Sequence, residues 1–201
     1  MSNRYFHPAA LVESDEIGPG TRVWAFAHVM AGAVVGSNCN VGDHAFLEAG
    51  ACVGDNVTIK NHVCIWQGVT LEDDVFVGPL AAFTNDRFPR SPRMPQAAAR
   101  YERPERWLLP TVVERGASIG ANATILPGIR LGRYCMIGSG AVVTADVPPF
   151  ALVVGVPAQK VGDVCRCGQR LPGCYSEETC SYCGEPPEMR CPTSELETLA
   201  L

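Results

Sequence analysis

An aliphatic residue recurs every six positions through most of this chain. The series runs Leu11, Ile17, Val23, Val29, Val35, Val41, Leu47, Val53, Ile59, Ile65, Leu71 and Val77, then resumes at Val113, Ile119, Ile125, Leu131, Ile137 and Val143. An α-helix repeats every 3.6 residues and an extended strand every two, so a strict six fits neither. It fits short strands joined by tight turns and wound into a coil. Four positions after each aliphatic stands a small or β-branched residue: Thr21, Ala27, Ala33, Cys39, Ala45, Ala51, Val57, Val63, Val69 and Val75, then Ala117, Ala123, Ile129, Cys135, Ala141 and Val147. The inside of a narrow coil has room for little more. Three positions after the aliphatic come corner residues that tolerate positive φ: Gly20, Gly32, Asn38, His44, Gly50, Asn56, His62, Gly68, Asp74, Gly116, Asn122, Gly128, Gly140 and Asp146. Three columns thus agree on one all-β architecture, a parallel coil of stacked six-residue units. Each unit buries its aliphatic only against its neighbours, and flat sides favour oligomers.

Composition supports this reading. With 20 Gly and 16 Pro among 201 residues, a helical bundle is excluded. The periodic part spans 1–162, and 163–201 forms a separate tail. A formal charge of −5 argues against nucleic acid as a partner. The N-terminal MSNRYFHPAALVESDE has no apolar core of a signal peptide, and no run of apolar residues is long enough to span a membrane. A cytoplasmic location is therefore expected. In that compartment cysteines serve as thiols or metal ligands rather than disulfides.

The period breaks over 83–112, a loop with five prolines. A long insertion in a compact solenoid points to function. Residues 87–106 carry six arginines, on a body whose residues 7–85 hold nine acids against Arg22 and Lys60. A basic loop on an acidic body suits a small anionic ligand such as a diphosphate or the phosphates of CoA, which Arg engages by its fork. The bland alternative is a solvated loop, with Asn85–Asp86 forming an Asx-turn. The tail carries CRCG and CSYCG, two knuckles of a zinc-ribbon-like kind, and Cys165, Cys167, Cys180 and Cys183 are the expected ligands of a structural zinc. Cys174 and Cys191 are possible substitutes. Cys39, Cys52, Cys64 and Cys135 read as packing residues.

The unit [LIV]-G/x-x-x-small-x, sustained over residues 7–162, resembles the hexapeptide-repeat acyltransferases. That resemblance implies a left-handed β-helix with three strands per turn, acetyl-CoA as co-substrate, and a homotrimer with sites between subunits. FTNDRFPRS, IKNHVCIWQGVTLEDDVFVGP and RVWAFAHV are similar to the sugar-nucleotide 3-N-acetyltransferases of that family. By this resemblance Asn85 orients the amine or the thioester oxygen, and Asp86 contacts substrate or accepts a proton. His28, Lys60, Arg87 and Arg90 are expected around a UDP- or dTDP-linked 3-amino sugar. VGVPAQKVG resembles the element that borders the CoA groove in relatives. This implies cofactor contacts at Ala121, Gly138, Ser139 and Lys160, with backbone N–H groups near Gly138–Ser139 as oxyanion donors.

The chain has only His7, His28, His44 and His62, none in the loop. His44 and His62 stand in the corner column, where positive φ alone explains them. A neutral amine attacks a thioester unaided, whereas a hydroxyl needs a base. The expectation is therefore N-acetylation without a dedicated His. The competing readings are O-acylation of a small hydroxyl acceptor, a non-catalytic scaffold, and a carbonic-anhydrase-like metal site, for which the His spacing is wrong.

Overall fold

In the computed structural model, which describes residues 3–172 and 179–186, each six-residue unit is a two-residue strand and a turn, as in Val34–Val35 followed by Asn40–Val41. Strands pair in parallel with those eighteen residues on: Val23 with Val41, Val41 with Ile59, Ile59 with Val77. Three units therefore make one turn, and the coil presents three parallel sheets of nine, seven and five strands. The aliphatic column and the small column both point inward and are buried from Ile17 to Val153. Each buried aliphatic contributes on the order of 1.5–3 kcal/mol, gained only when the neighbouring turns are in place.

The period shifts at both ends. Leu11 is 54% exposed, and Val12 takes the inward place beside Val29. The series also continues through buried Phe83 before the loop begins. In the last turn the spacing shortens, so that Ile137 pairs with Val153 and Leu131 with Val147. That shortening removes Asp146 from the positive-φ corners, where its column would put it. The corners admit bulkier residues than expected: Phe26, Leu80, Tyr134 and Phe150 all have φ near +60°. The cost of that conformation is on the order of 1–2 kcal/mol. Stacking offsets it along the ladders Phe26–His44–His62, at 4.9 and 4.8 Å, and Tyr134–Phe150, at 5.3 Å. Cys39 and Cys135 are core residues as expected, but Cys52 and Cys64 point outward, with Cys52 exposed.

Turn acids explain the charge of the body. Backbone N–H groups of one turn donate to carboxylates of a neighbouring turn, as Ser37 to Asp55, Asp55 to Asp73, Gln67 to Glu48, and Arg133 to Glu114. The prism has three corners, numbered in chain order. The first corner leads from the nine-strand to the seven-strand sheet, the second from the seven- to the five-strand sheet, and the third back again. The long loop leaves from the second corner, after Ala82–Phe83, and returns at Thr111–Val113, which pairs with Val69–Leu71.

Candidate active site and metal cluster

Asn85 stands where the chain leaves the seven-strand sheet. Its side-chain N–H donates to the Gln67 carbonyl at 3.3 Å, and its own carbonyl accepts from Leu109 N–H at 2.9 Å. Gln67 is fixed in turn by its N–H to Glu48, and the Trp66 indole donates to the Phe83 carbonyl at 2.9 Å. The second corner is a glycine column, and Leu108 returns from the loop to lie over Gly68. Asn85 is thus half-buried and held at both ends, and among the described residues its amide oxygen accepts no hydrogen bond. Glu48 and Gln67, which hold it, carry no sequence signal beyond their place in the turn.

Asp86 is committed within the loop. It accepts from Tyr101 Oη at 2.7 Å and from Phe88 N–H at 2.9 Å, and it forms a two-pronged ion pair with Arg100. Burial pushes its carboxyl up, but the hydrogen bonds from Arg100, Tyr101 and Phe88 outweigh it and hold the group below its ordinary value. A carboxylate so stabilised is a poor proton acceptor, and this geometry makes it the clasp of the loop. Arg100 and Tyr101 lie on the short helix Pro95–Tyr101, and the Tyr101 ring meets Trp107 at 5.8 Å. Arg87 and Arg90 are exposed beyond the clasp and, among the described residues, form no ion pair.

His28 lies outward on the seven-strand sheet. Its Nε2 is 2.9 Å from Glu13 Oε2, and its ring meets Phe46 edge-on at 5.3 Å. Glu13 is a partner the sequence did not suggest. His28 pairs with Phe46, Phe46 with Cys64, and Cys64 with Ala82. Three strand spacings of about 4.8 Å put His28 roughly 14 Å below the level of Asn85. The two residues share a face but do not meet.

Ala121, Gly138 and Ser139 gather at the first corner, above the loop. Gly78, Gly120 and Gly138 stack there so closely that a Cβ on Gly120 would stand 2.5 Å from Ser139 N. The result is a smooth edge of bare backbone. The Gly138 N–H is spent on the Val153 carbonyl, at 2.8 Å. Among the described residues the Ser139 N–H meets no backbone carbonyl, so it is the donor that remains. Lys60 occupies the same column, between Gly42 and Gly78, so it shares this corner but stands three strand spacings, roughly 14 Å, below Gly138. Lys160 lies on the last strand and pairs with Asp163 at 2.8 Å.

The four tail cysteines converge. Sγ atoms of Cys165, Cys167, Cys180 and Cys183 lie within 4.8 Å of one another, with Cys165–Cys183 at 3.7 Å and Cys167–Cys180 at 3.9 Å. Tetrahedral zinc with bonds of about 2.3 Å sets its sulfurs about 3.8 Å apart. Each knuckle closes on a glycine of positive φ, Gly168 and Gly184. Backbone N–H groups of Cys183 and Tyr182 pull the Cys180 thiol down to about 7, toward the thiolate that a metal takes, while burial pushes Cys165 up. Cys174 and Cys191 lie outside the described residues.

The chain is similar to known proteins. The profile of the bacterial transferase hexapeptide (six repeats) family matches residues 16–49 and 110–145. The chain is 46% identical over 181 residues to a dTDP-3-amino-3,6-dideoxy-alpha-D-galactopyranose 3-N-acetyltransferase of Aneurinibacillus thermoaerophilus, covering 90% of this chain and 88% of that one. A 2,3,4,5-tetrahydropyridine-2,6-dicarboxylate N-acetyltransferase of Ligilactobacillus salivarius is 49% identical over 55 residues, 27% of this chain and 24% of that protein. Among solved structures, a galactoside acetyltransferase in complex with coenzyme A aligns with a TM-score of 0.50 at 22% identity, over 61% of this chain and 60% of that one, a likeness of fold. By its repeat and by its identity to a relative across nine-tenths of its length, this chain belongs to the bacterial hexapeptide-repeat transferases.

Proposed function

We propose that this chain transfers the acetyl group of acetyl-CoA to the 3-amine of a nucleotide-linked amino sugar. The observation that carries the reading is the 46% identity, across nearly the whole chain, to a 3-N-acetyltransferase of a dTDP-3-amino sugar. The site chemistry agrees with it. The neutral amine attacks the thioester carbonyl, the C–N bond forms and the C–S bond breaks. The amine proton passes to the leaving thiolate or to water. The protein's part is alignment and oxyanion stabilisation. Asn85 orients the amine or the thioester oxygen, and Ser139 N–H serves as a donor. Arg87, Arg90 and Lys60 supply cations for the phosphates, and His28 contacts the nucleotide sugar away from the reacting amine. Asp86 acts as a positioning residue through Arg100 and Tyr101. Ala121, Gly138 and Lys160 border the acetyl-CoA groove.

Within one chain the seven-strand sheet separates the loop corner from the bare-backbone corner. A site that uses both is completed by a second copy, which a homotrimer supplies three times over. The tail cysteines are assigned a structural zinc. Acetyl-CoA as donor fits a cytoplasmic enzyme, whose product feeds a surface polysaccharide or a glycosylated metabolite. Among the described residues no helix is long and apolar enough to cross a membrane.

One feature favours a second reading. The His28–Glu13 pair is an arrangement suited to a general base, as O-acylation of a hydroxyl requires. Its distance from Asn85 weighs against it. Free-thiol release from acetyl-CoA, measured over UDP- and dTDP-linked 3-amino and 4-amino sugars and simple hydroxyl acceptors, tests both. Release with a 3-amino sugar nucleotide is expected. Release with hydroxyl acceptors alone transfers the assignment to O-acylation.

A further inference from the structure

We propose that the four-cysteine cluster is a zinc clamp that holds one wall of the first corner in place. The wall is Ala151–Val154, the last parallel strand of the nine-strand sheet. Val153 accepts the Gly138 N–H, and the Val154 side chain closes over Gly138, standing 2.7 Å from where a Cβ would be. The outer neighbour of this strand is Gln159–Asp163, which runs antiparallel and covers it from outside. Among the described residues that outer strand has no further strand beside it in the sheet, and it is mostly exposed. An edge strand of this kind opens readily unless its ends are tied.

Both ends are tied. At the turn, Val142 N–H donates to Gly155 and Ala158 N–H donates to Val142. At the other end the chain runs straight into the first knuckle. Val164 N–H donates to Phe150, Leu171 N–H to Asp163, and the Arg170 guanidinium to the Val161 carbonyl. The knuckle also lies against the coil, with the Arg166 guanidinium 5.2 Å over the Tyr134 ring and Gly168 beside Met136. Among the described residues the knuckle has little core of its own. Its buried cluster is Cys165, Leu171 and Cys180, and two of those three are would-be ligands. So small a cluster is far below what a domain needs to hold itself closed. Four thiolates on zinc supply the missing tie between 165–167 and 180–183. A site fully ligated by protein has no open position for chemistry, so the ion acts through structure.

The consequence for the first corner rests on the reading of that corner as the acetyl-CoA side. Loss of the ion frees the outer strand, loosens Ala151–Val154, and opens the edge at Gly138 and Ser139. The acceptor end at Asn85 lies on the second corner and is left as it was.

The test uses the full chain, as purified and after metal removal by a chelator, beside a Cys167→Ser, Cys183→Ser double variant. Elemental analysis of the purified protein is expected to find one zinc per chain. On its removal, amide exchange at 151–154 and 159–163 is expected to rise at least tenfold while the coil from Val23 to Ile125 stays protected. The KM for acetyl-CoA rises several-fold, and the KM for the amino sugar nucleotide holds. Zinc added back to the chelated protein restores both, and the double variant does not recover. Protein that carries no zinc, or that loses it with unchanged exchange at 151–163, overturns the clamp. Equal rises in both KM values overturn the link to the cofactor corner. Wild-type protein that transfers to no amino sugar fails the functional reading instead, and the metal and exchange measurements still decide the clamp.

Discussion

The first and second corners of this prism are built from the same repeat and do opposite things. Along the first, bulky side chains stand outward at Phe26, His44, His62 and Leu80, and the same position goes on to Asn122 and Gly140, beside the close-stacked backbone of Gly78, Gly120 and Gly138. Along the second, glycine occupies the corner at 32, 50, 68 and 128, and other residues fill the space above it: Gln67 over Gly50, Leu108 over Gly68, Leu109 over Gly128. The first is therefore a surface that a long flexible ligand can lie along. The second is a socket into which the chain's own loop is fitted, and it fixes Asn85. The two corners differ through what the turns carry outward, since the inward columns scarcely change from turn to turn.

Substitutions in the two corners sharpen this contrast. The largest effect is expected from Gly120→Val. Its Cβ would meet Ser139 backbone, which has no room to yield, and a loss of about 3 kcal/mol in a denaturation midpoint is expected. Next comes Arg100→Ala, which leaves the mostly buried Asp86 carboxylate with only Tyr101 and Phe88. Local loop stability is expected to fall, read as faster proteolysis within 87–106 with the coil intact. The same clasp has a pH signature. The Asp86 pKa is lowered in the folded state, so its contribution is present above the unfolded value of about 3.9 and fades as pH falls through the lowered one. Loop protection is expected to be flat from about pH 5 upward and to fall only in stronger acid. Gly68→Ala costs about 1 kcal/mol, because φ is +83° and Leu108 must shift by tenths of an ångström. His62→Gly is expected to lie within about 0.5 kcal/mol of wild type, since relief of positive φ offsets the lost stacking.

The coil was legible in the sequence because its constraint repeats. A strict period of six with small and corner columns admits one architecture, and the registers obey it from Val23 to Ile137. The ends escaped it, since at Leu11 and Val147 the turn shortens and the column slips. Bulky corner residues such as Phe26 and Tyr134 were invisible to a rule built on backbone tolerance alone, because their stability comes from ring stacking across turns. Asn85 and the tail cysteines stand out through motifs, and the four cysteines do converge. The role of Asp86 was read differently from the sequence, because its partners Arg100 and Tyr101 lie on a short helix that no period announces. Glu13 as the partner of His28 arises only from the pairing of neighbouring turns.

Amine attack aligned by Asn85 is tested most directly by the turnover of Asn85→Ala beside His28→Ala, on a dTDP-linked 3-amino sugar with acetyl-CoA. A fall of about 100-fold in kcat is expected for Asn85→Ala with the coil still folded. His28→Ala is expected to change KM for the nucleotide sugar and to keep kcat within about tenfold. Wild-type turnover in Asn85→Ala, or collapse of kcat in His28→Ala, would contradict amine attack aligned at the second corner without a histidine base.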